Sequence, residues 1–141
     1  MTFLTLAHAN HLIDTALAQA RGQNLRPMAV AVLDTAGHLI AFQREDGASM
    51  FRQDIAIGKA WASVAMGASS RTLLERAQHH PAFFNALSST SNGRFIPQTG
   101  AVLIIDAAGA ALGAIGASGD TGDADEAICI AAVQIARLQY T

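Results

Sequence analysis

Two stretches of the chain share one local pattern and decide its fold: Met28-Ala-Val-Ala-Val-Leu-Asp-Thr-Ala-Gly-His-Leu-Ile-Ala-Phe-Gln-Arg44 and Ala101-Val-Leu-Ile-Ile-Asp-Ala-Ala-Gly-Ala-Ala-Leu-Gly-Ala-Ile-Gly-Ala117. In each, two short apolar runs flank an Asp-x-x-Gly segment. An aspartate side chain holds the backbone of a tight turn, and glycine accepts positive φ there. Both stretches are therefore predicted to be β-hairpins. The likeness is local and does not indicate a duplicated domain.

Helices are predicted before, between and after the hairpins. The predicted helical segments are Thr5 to Gly22, Ser49 to Ala68, Ser70 to Gln78, Pro81 to Leu87 and Asp123 to Gln139. Leu6 in the first and Phe51 in the second lie on the apolar faces that the spacing indicates. Residues 88–100, rich in Ser, Asn, Gly and Pro, are predicted to form a long loop. This order favours an α/β (α+β) domain with a mainly antiparallel sheet flanked by helices.

The composition indicates one domain, residues 1–141, that associates with copies of itself. A chain of 141 residues has the usual size of one domain. Hydrophobic residues make up 51% and charged residues only 14%, against about 25% charged in an average soluble domain. Few charges are left to cover the outside, so we expect apolar surface to be buried in a homo-oligomer.

Charge and hydropathy argue against membrane and nucleic-acid partners. No stretch reaches the ~18 uncharged apolar residues that cross a bilayer, and no basic segment precedes the apolar start of the chain as in a secretory signal. We therefore expect a cytoplasmic protein. The net charge of −2, with no basic run, is not that of a nucleic-acid-binding surface.

A glycine-rich turn is the strongest local candidate for a binding site. Gly113-Ala-Ile-Gly-Ala-Ser-Gly119 leads into Asp120-Thr-Gly-Asp-Ala-Asp-Glu126, so a strand enters a turn at the start of a helix, where backbone N–H groups can bind a carboxylate. Tight packing of the strand against a helix explains the glycines equally well. Asp120, Asp123 and Asp125 do not follow the spacing of a calcium loop, and helix capping is the favoured role for them.

Two cations stand out because of the residues around them. Lys59 interrupts the apolar segment Ile55-Ala-Ile-Gly-Lys-Ala-Trp61, and Arg94 lies in the predicted loop. Either can hold a carboxylate. A lysine side chain that reaches out to solvent, or an Arg94 salt bridge near Asp125, is an equal alternative.

The histidines and Ser118 carry weaker signals. The five histidines form no H-E-x-x-H motif, and His8 and His11, at i and i+3 of the first predicted helix, more often mean two surface residues than an iron or haem site. Ser118 lacks the G-x-S-x-G context of a nucleophile. Cys129, the single cysteine, is expected to fill the core.

The sequence resembles the GlcG/HbpS-like family, which includes haem-binding HbpS-type proteins and the C-terminal domain of PduO-type corrinoid adenosyltransferases. The shared residues extend over nearly the whole chain, and the most specific are Gly93-Arg-x-x-Pro97, Ile105-Asp-x-x-Gly109, Gly113-Ala-Ile-Gly-x-Ser-Gly119 and Asp125-Glu126. The resemblance implies a profilin-like fold with a five-stranded antiparallel sheet, oligomeric assembly, and haem as a possible cofactor. Gln98-Thr99 replaces the consecutive glycines of many relatives. Corrinoid chemistry does not carry over without the adenosyltransferase domain.

Two functions are carried forward from the sequence. The first is a protein that binds haem or a small carboxylate through Lys59, Arg94, Pro97 and the turn that contains Gly116, Ser118 and Gly119, with His11 as a candidate iron ligand. The second is a cofactor-independent enzyme that acts on a small oxygenated metabolite. In that enzyme Asp125 or Glu126 is the acid or base, and Lys59 and Arg94 anchor the substrate. An accessory protein without a ligand is the third alternative.

Overall fold

The computed structural model describes residues 3–141 and shows five helices and a five-stranded sheet. The helices are α1 (Leu6–Gly22), α2 (Phe51–Met66), α3 (Ser70–His79), α4 (Pro81–Thr90) and α5 (Gly122–Ile135). The strands are β1 (Ala29–Leu33), β2 (Leu39–Arg44), β3 (Ala101–Ile105), β4 (Ala111–Ser118) and β5 (Gln139–Tyr140). No described helix is both long and apolar enough to cross a membrane.

The sheet is antiparallel throughout, in the order β2-β1-β4-β3-β5. Both predicted hairpins are present. In each turn the aspartate, Asp34 or Asp106, accepts two backbone N–H hydrogen bonds of 2.9 Å, and Gly37 and Gly109 have φ of +81° and +86°. The turn chemistry that the sequence indicates therefore forms both hairpins. The α/β fold with a five-stranded antiparallel, profilin-like sheet is confirmed.

Helices cover both faces of the sheet. On one face, α1 and α5 pack together over side chains such as Val30, Val32 and Ile104. On the other face, α2 packs over the alanines and Leu33 that alternate with them. Because side chains of a strand point alternately to the two faces, the continuous apolar runs of β1 and β3 fit a sheet that is buried on both sides.

The structure differs from the sequence predictions in three respects. The last helix ends at Ile135 rather than at Gln139, because Arg137 takes φ of +60° and the chain turns back to form β5 beside β3. The helix α4 continues to Thr90, so the predicted loop is shorter. Leu6 and Phe51, which the sequence predicts on the apolar faces of the first two helices, are 58% and 67% exposed.

Candidate functional site

The glycine-rich turn after β4 binds an anion that belongs to the chain itself. Asp125, in the first turn of α5, is 1% exposed. Its carboxylate accepts hydrogen bonds from the backbone N–H groups of Asp120, at 2.9 Å, and Gly119, at 3.4 Å. The N–H groups that the sequence offers to an external carboxylate are therefore already paired, and the positive end of α5 faces this carboxylate.

Lys59 forms a buried ion pair with the same carboxylate. Lys59 lies on α2 and is 5% exposed. Its Nζ donates to Asp125 Oδ2 at 3.3 Å and to the Ala117 carbonyl at 3.0 Å. Burial lowers the pKa of the Lys59 ammonium group below its usual range, and the Asp125 charge opposes that shift. The side chain does not reach out to solvent, so that sequence alternative is wrong. An ammonium group has three N–H donors, and the third points to no described acceptor.

A cleft of about 410 Å³ opens beside this pair. We call it the Lys59 cleft, and its lining residues are Arg52, Ile55, Lys59, Leu74, Gln98, Thr99, Ser118, Asp120, Thr121, Gly122, Asp123 and Asp125. Arg52 lies two turns before Lys59 on α2, so both cations share one helix face. The Arg52 guanidinium donates to Ser118 Oγ at 3.0 Å. Arg52 is the residue that sequence reasoning missed, although its i, i+7 spacing from Lys59 is a usable signal.

Gly100, the residue just before β3, has to be a glycine because it lies against the Lys59 amine. Gly100 has φ of +141°, and a Cβ atom there would lie 2.5 Å from Lys59 Nζ and 2.9 Å from the Ala117 carbonyl oxygen. The buried Ser70 hydroxyl, in the first turn of α3, accepts from the N–H groups of Gly100 and Ala101 and donates to the Ala101 carbonyl. Ser70 therefore fixes Gly100, the residue against which the Lys59 amine packs.

Each acidic residue around the cleft has a basic partner. Asp120 forms a 3.5 Å ion pair with Arg26, and the backbone N–H groups of Arg26 and Thr121 lower the pKa of its carboxyl group. Arg71 pairs with both Glu126 and Asp123, and these two carboxylates raise the pKa of its guanidinium group. The acidic helix start therefore repels an anion less than unpaired carboxylates would, because its charges are neutralised locally.

The other predicted ligand-binding residues are placed differently. A Cβ atom on Gly116 would lie 2.4 Å from the Ala56 carbonyl oxygen of α2, and one on Gly119 would lie 2.5 Å from the Pro27 carbonyl oxygen. Both glycines thus face protein atoms, as the packing alternative expects. Pro97 is the centre of a three-residue turn closed by Gln98 N–H and the Ile96 carbonyl at 3.0 Å. It lies beside the cleft but does not line it.

Arg94 lies at a different cavity from Lys59. Its guanidinium is 5.1 Å from the centre of the Trp61 ring, and its Nε donates to the Ser91 carbonyl at 2.9 Å. The sequence alternative of a salt bridge with Asp125 is not formed. A mostly apolar cavity of about 310 Å³ lies here, which we call the Trp61 cavity. Its lining residues are Trp61, Ala65, Met66, Leu87, Thr90, Ser91, Arg94 and Phe95.

The histidines that the sequence offered as ligands serve other purposes or face outward. His8 belongs to the N-terminal cap of α1, where its Nδ1 accepts from the Thr5 N–H. His11 is exposed and lines neither the Lys59 cleft nor the Trp61 cavity. Within residues 3–141, no three His, Cys, Asp or Glu side chains are grouped to hold a metal ion.

The fold and this cleft define a class of small α+β domains in which a buried lysine–aspartate ion pair lies beside a cleft between two helices and a strand end. The family model described as "Haem degrading protein HbpS-like" matches residues 4–134. The chain therefore belongs to the HbpS-like family. No curated protein sequence matches it significantly.

Solved structures of similar proteins share the whole fold. HbpS from Streptomyces reticuli, solved as a double mutant, has 28% identity and a TM-score of 0.82, with 96% of this chain and 88% of that chain covered. The Klebsiella pneumoniae protein ORFY has 25% identity and a TM-score of 0.85, with coverages of 95% and 90%. A PduOC complex with heme has 23% identity and a TM-score of 0.87, with 97% of both chains covered.

Proposed function

We propose that this protein binds a small carboxylate in the Lys59 cleft. The observation that carries the proposal is the buried Lys59 ammonium, which lines the cleft and has one N–H donor more than it has described acceptors. A buried cation with an unused donor favours an anionic ligand, since its partner gains a charge-assisted hydrogen bond away from water. Arg52 supplies a second cation on the same wall.

The balance of charges around the cleft supports the same ligand class. Asp120, Asp123 and Asp125 line the cleft, and each is paired with an arginine or with Lys59. Arg52 has no carboxylate partner in the described part of the chain, where its one side-chain hydrogen bond goes to Ser118. Guanidinium groups bind carboxylates through two parallel N–H donors, and Arg52 keeps enough free donors for this geometry.

The test is ligand-induced stabilisation by small carboxylates such as acetate, pyruvate, malonate and succinate. A ligand at one hundred times its Kd raises the free energy of unfolding by about 2.7 kcal/mol. We expect these ligands to stabilise the wild type. In Arg52→Gln, which loses one charge-assisted contact, the apparent affinity derived from this stabilisation should be at least about tenfold lower. The matched control is Arg76→Gln, the same change at an exposed residue of α3 outside the cleft. Equal affinity in both variants, or no stabilisation of the wild type, contradicts the proposal.

Haem is the second candidate ligand, supported by the description of the family model. None of the described residues lining the Lys59 cleft is a His, Cys, Met or Tyr, so that cleft does not fit the iron. The Trp61 cavity fits better, because it combines apolar walls with the Met66 thioether, a possible axial ligand, and with Arg94, which can pair with a propionate. Haem held by these residues would supply redox-active iron.

A haemin titration separates the two candidates. Binding at the Trp61 cavity predicts a saturable Soret shift at one equivalent per chain that is weakened in Met66→Ala and unchanged in Arg52→Gln. The His11→Ala variant tests the ligand suggested by the sequence, and loss of the shift in that variant alone contradicts binding at the Trp61 cavity. The absence of any shift removes haem as a ligand and leaves the carboxylate proposal standing.

We further propose that the protein is a homo-oligomer. Eight large hydrophobic residues of the described chain are at least 38% exposed, and Met50 and Phe51, at 80% and 67%, are adjacent. Large apolar side chains exposed next to one another are typical of an interface between proteins. The low content of charged residues supports the same conclusion.

A further inference from the structure

The Lys59 amine is unusual within this sequence as well as within the structure. Lys59 is the only lysine of the sequence, in which the other eight basic residues are arginines. Among residues 3–141 it is also one of two charged residues that are almost completely buried, and the other is its partner Asp125. Arginine never loses its proton in proteins, whereas a buried lysine can do so and act as a nucleophile.

We infer that the Lys59 cleft takes a 2-oxo acid, with its carboxylate on Arg52 and its carbonyl carbon joined to Lys59 Nζ as a reversible imine. This inference rests on the proposed carboxylate function and narrows its substrate class. The geometry that supports it places three groups on the walls of one cleft: the Lys59 amine, the Asp125 carboxylate next to it, and the Arg52 guanidinium, which has no carboxylate partner among the described residues.

The surroundings of the amine suit a nucleophile. Arg52 lies on the same face of α2 as Lys59, and Asp125 and the buried Cys129 approach the amine from α5. The Ala117 carbonyl of β4 accepts a hydrogen bond from the amine, and Gly100 packs against it. Burial lowers the pKa of the Lys59 ammonium and that effect exceeds the opposing one of Asp125. The neutral amine, which is the attacking form, is therefore easier to reach than in a lysine exposed to water.

The step is balanced by groups already present. Asp125 accepts one proton from the ammonium group, which leaves Nζ neutral. Nζ then attacks the carbonyl carbon, so that a C–N bond forms and the π bond of the carbonyl breaks. A second proton moves from nitrogen to the former carbonyl oxygen, which becomes a hydroxyl. Asp125 then returns its proton to that hydroxyl, which leaves as water. The products are an iminium ion and one water molecule, the total charge is unchanged, and no oxidant or reductant takes part.

The experiment is reductive trapping followed by mass spectrometry. The purified protein is incubated with pyruvate and sodium cyanoborohydride, whose hydride converts the imine to a stable secondary amine. We expect one adduct per chain, located at Lys59 by peptide mapping. Acetone, which has the carbonyl but no carboxylate, is expected to trap at least about tenfold less at the same concentration, because it gains no contact with Arg52. The Arg52→Gln variant should reduce trapping by pyruvate to a similar extent.

The controls distinguish failure of this inference from failure of the carboxylate proposal. Lactate has the carboxylate but no carbonyl, so it tests binding alone. Stabilisation by lactate and pyruvate without an adduct at Lys59 overturns the imine and leaves carboxylate binding intact; no stabilisation and no adduct overturns both. An adduct confined to the amino terminus, or equal trapping of acetone and pyruvate, also overturns the inference. The assignment to Lys59 comes from the wild-type protein, so it does not depend on a variant that folds.

Discussion

At the scale of single residues, the site depends on how closely backbone approaches the Lys59 amine. Gly100 is the residue that permits this approach, because its φ of +141° and its missing side chain leave room for Nζ and for the Ala117 carbonyl. The carbonyl acceptor and the strand end are fixed by the sheet, so the space cannot be enlarged without moving β3. The Lys59–Asp125 pair and the cleft next to it therefore depend on this glycine.

We predict that Gly100→Ala destabilises the protein more than Gly109→Ala does. Both glycines have positive φ, and a Cβ atom in that conformation costs about 1–2 kcal/mol. A Cβ atom on Gly109 meets open space, whereas one on Gly100 meets Lys59 Nζ at 2.5 Å, which adds about 1–3 kcal/mol of overpacking. Urea unfolding of the two variants measures the difference. Equal losses would show that contact with Lys59 does not constrain residue 100.

A second residue-scale prediction concerns the buried thiol of Cys129. Burial raises the pKa of this thiol above its ordinary value of 9.0, so in alkaline solution the unfolded chain loses the proton before the folded chain does. The folded state then loses stability as the pH rises above that value. Burial of Lys59 acts in the opposite direction, because its pKa is lowered and the folded state loses that proton first.

The Cys129→Ala variant isolates the thiol from Lys59. The difference in free energy of unfolding between the wild type and this variant should fall by about 1.4 kcal/mol between about pH 7 and about pH 10. The cavity left by the substitution adds a constant that cancels between the two pH values. Chemical denaturation at both pH values, under reducing conditions, measures the change. A difference that does not vary with pH would mean that the thiol ionises in the folded protein as readily as in the unfolded chain.

At the scale of elements, the Ser70 hydroxyl links α3 to the sheet through hydrogen bonds. Ser70 Oγ accepts from two backbone N–H groups at the start of β3 and donates to the carbonyl of the second residue, all at 2.8–2.9 Å. The site is fully buried. Water therefore cannot replace these hydrogen bonds when the hydroxyl is removed, and each unsatisfied buried group costs about 1–3 kcal/mol.

We predict that Ser70→Ala lowers the free energy of unfolding by at least about 2 kcal/mol and weakens carboxylate binding, because Gly100 and Ala101, which directly follow Thr99 of the cleft wall, lose their hydrogen bonds to the hydroxyl. The matched control is Ser69→Ala, one residue earlier, where the side chain makes no capping hydrogen bond and the expected loss is within about 0.5 kcal/mol. Urea titration and ligand-induced stabilisation are measured on both variants. If Ser69→Ala costs as much as Ser70→Ala, the effect belongs to the start of α3 and not to its link with β3.

Elements whose signals are local could be predicted from the sequence, and contacts between distant segments could not. The Asp-x-x-Gly turns carry their own hydrogen bonds, so both hairpins are predicted correctly. The strand β5 could not be predicted, because it has only two residues and because the turn before it places Arg137 at positive φ, where glycine or asparagine is the usual sequence signal. At the site, Lys59 and Asp125 were selected as candidates from sequence, but their pairing joins residues 66 positions apart. Arg94 lies in the loop as expected, yet Trp61 holds it away from Lys59.

At the scale of the whole molecule, the apolar residues left outside the core point to contacts between chains. Met50 and Phe51, at the start of α2, directly precede Arg52 of the Lys59 cleft. The sequence pattern places Phe51 on an apolar helix face, and the structure exposes its side chain in the single chain. Burial of such a side chain contributes about 1.5–3 kcal/mol, so a partner chain that covered Phe51 would be held by this contact and would lie next to Arg52 of the Lys59 cleft.

We predict that the wild type sediments as a multiple of its 14.7 kDa chain mass at micromolar concentration. The double variant Met50→Ser with Phe51→Ser should dissociate toward single chains, and its circular dichroism should be unchanged. Removing two exposed apolar side chains costs the folded monomer little, because they contact water there, but it removes their transfer free energy from the interface. Phe83→Ser is the control, since Phe83 on α4 is 57% exposed and receives the same kind of change. A wild type of single-chain mass contradicts self-association, and dissociation of Phe83→Ser alone would move the interface from the start of α2 to α4. If the double variant dissociates and also binds carboxylates more weakly, the partner chain helps to form the mouth of the Lys59 cleft; unchanged binding would show that each chain holds a complete site.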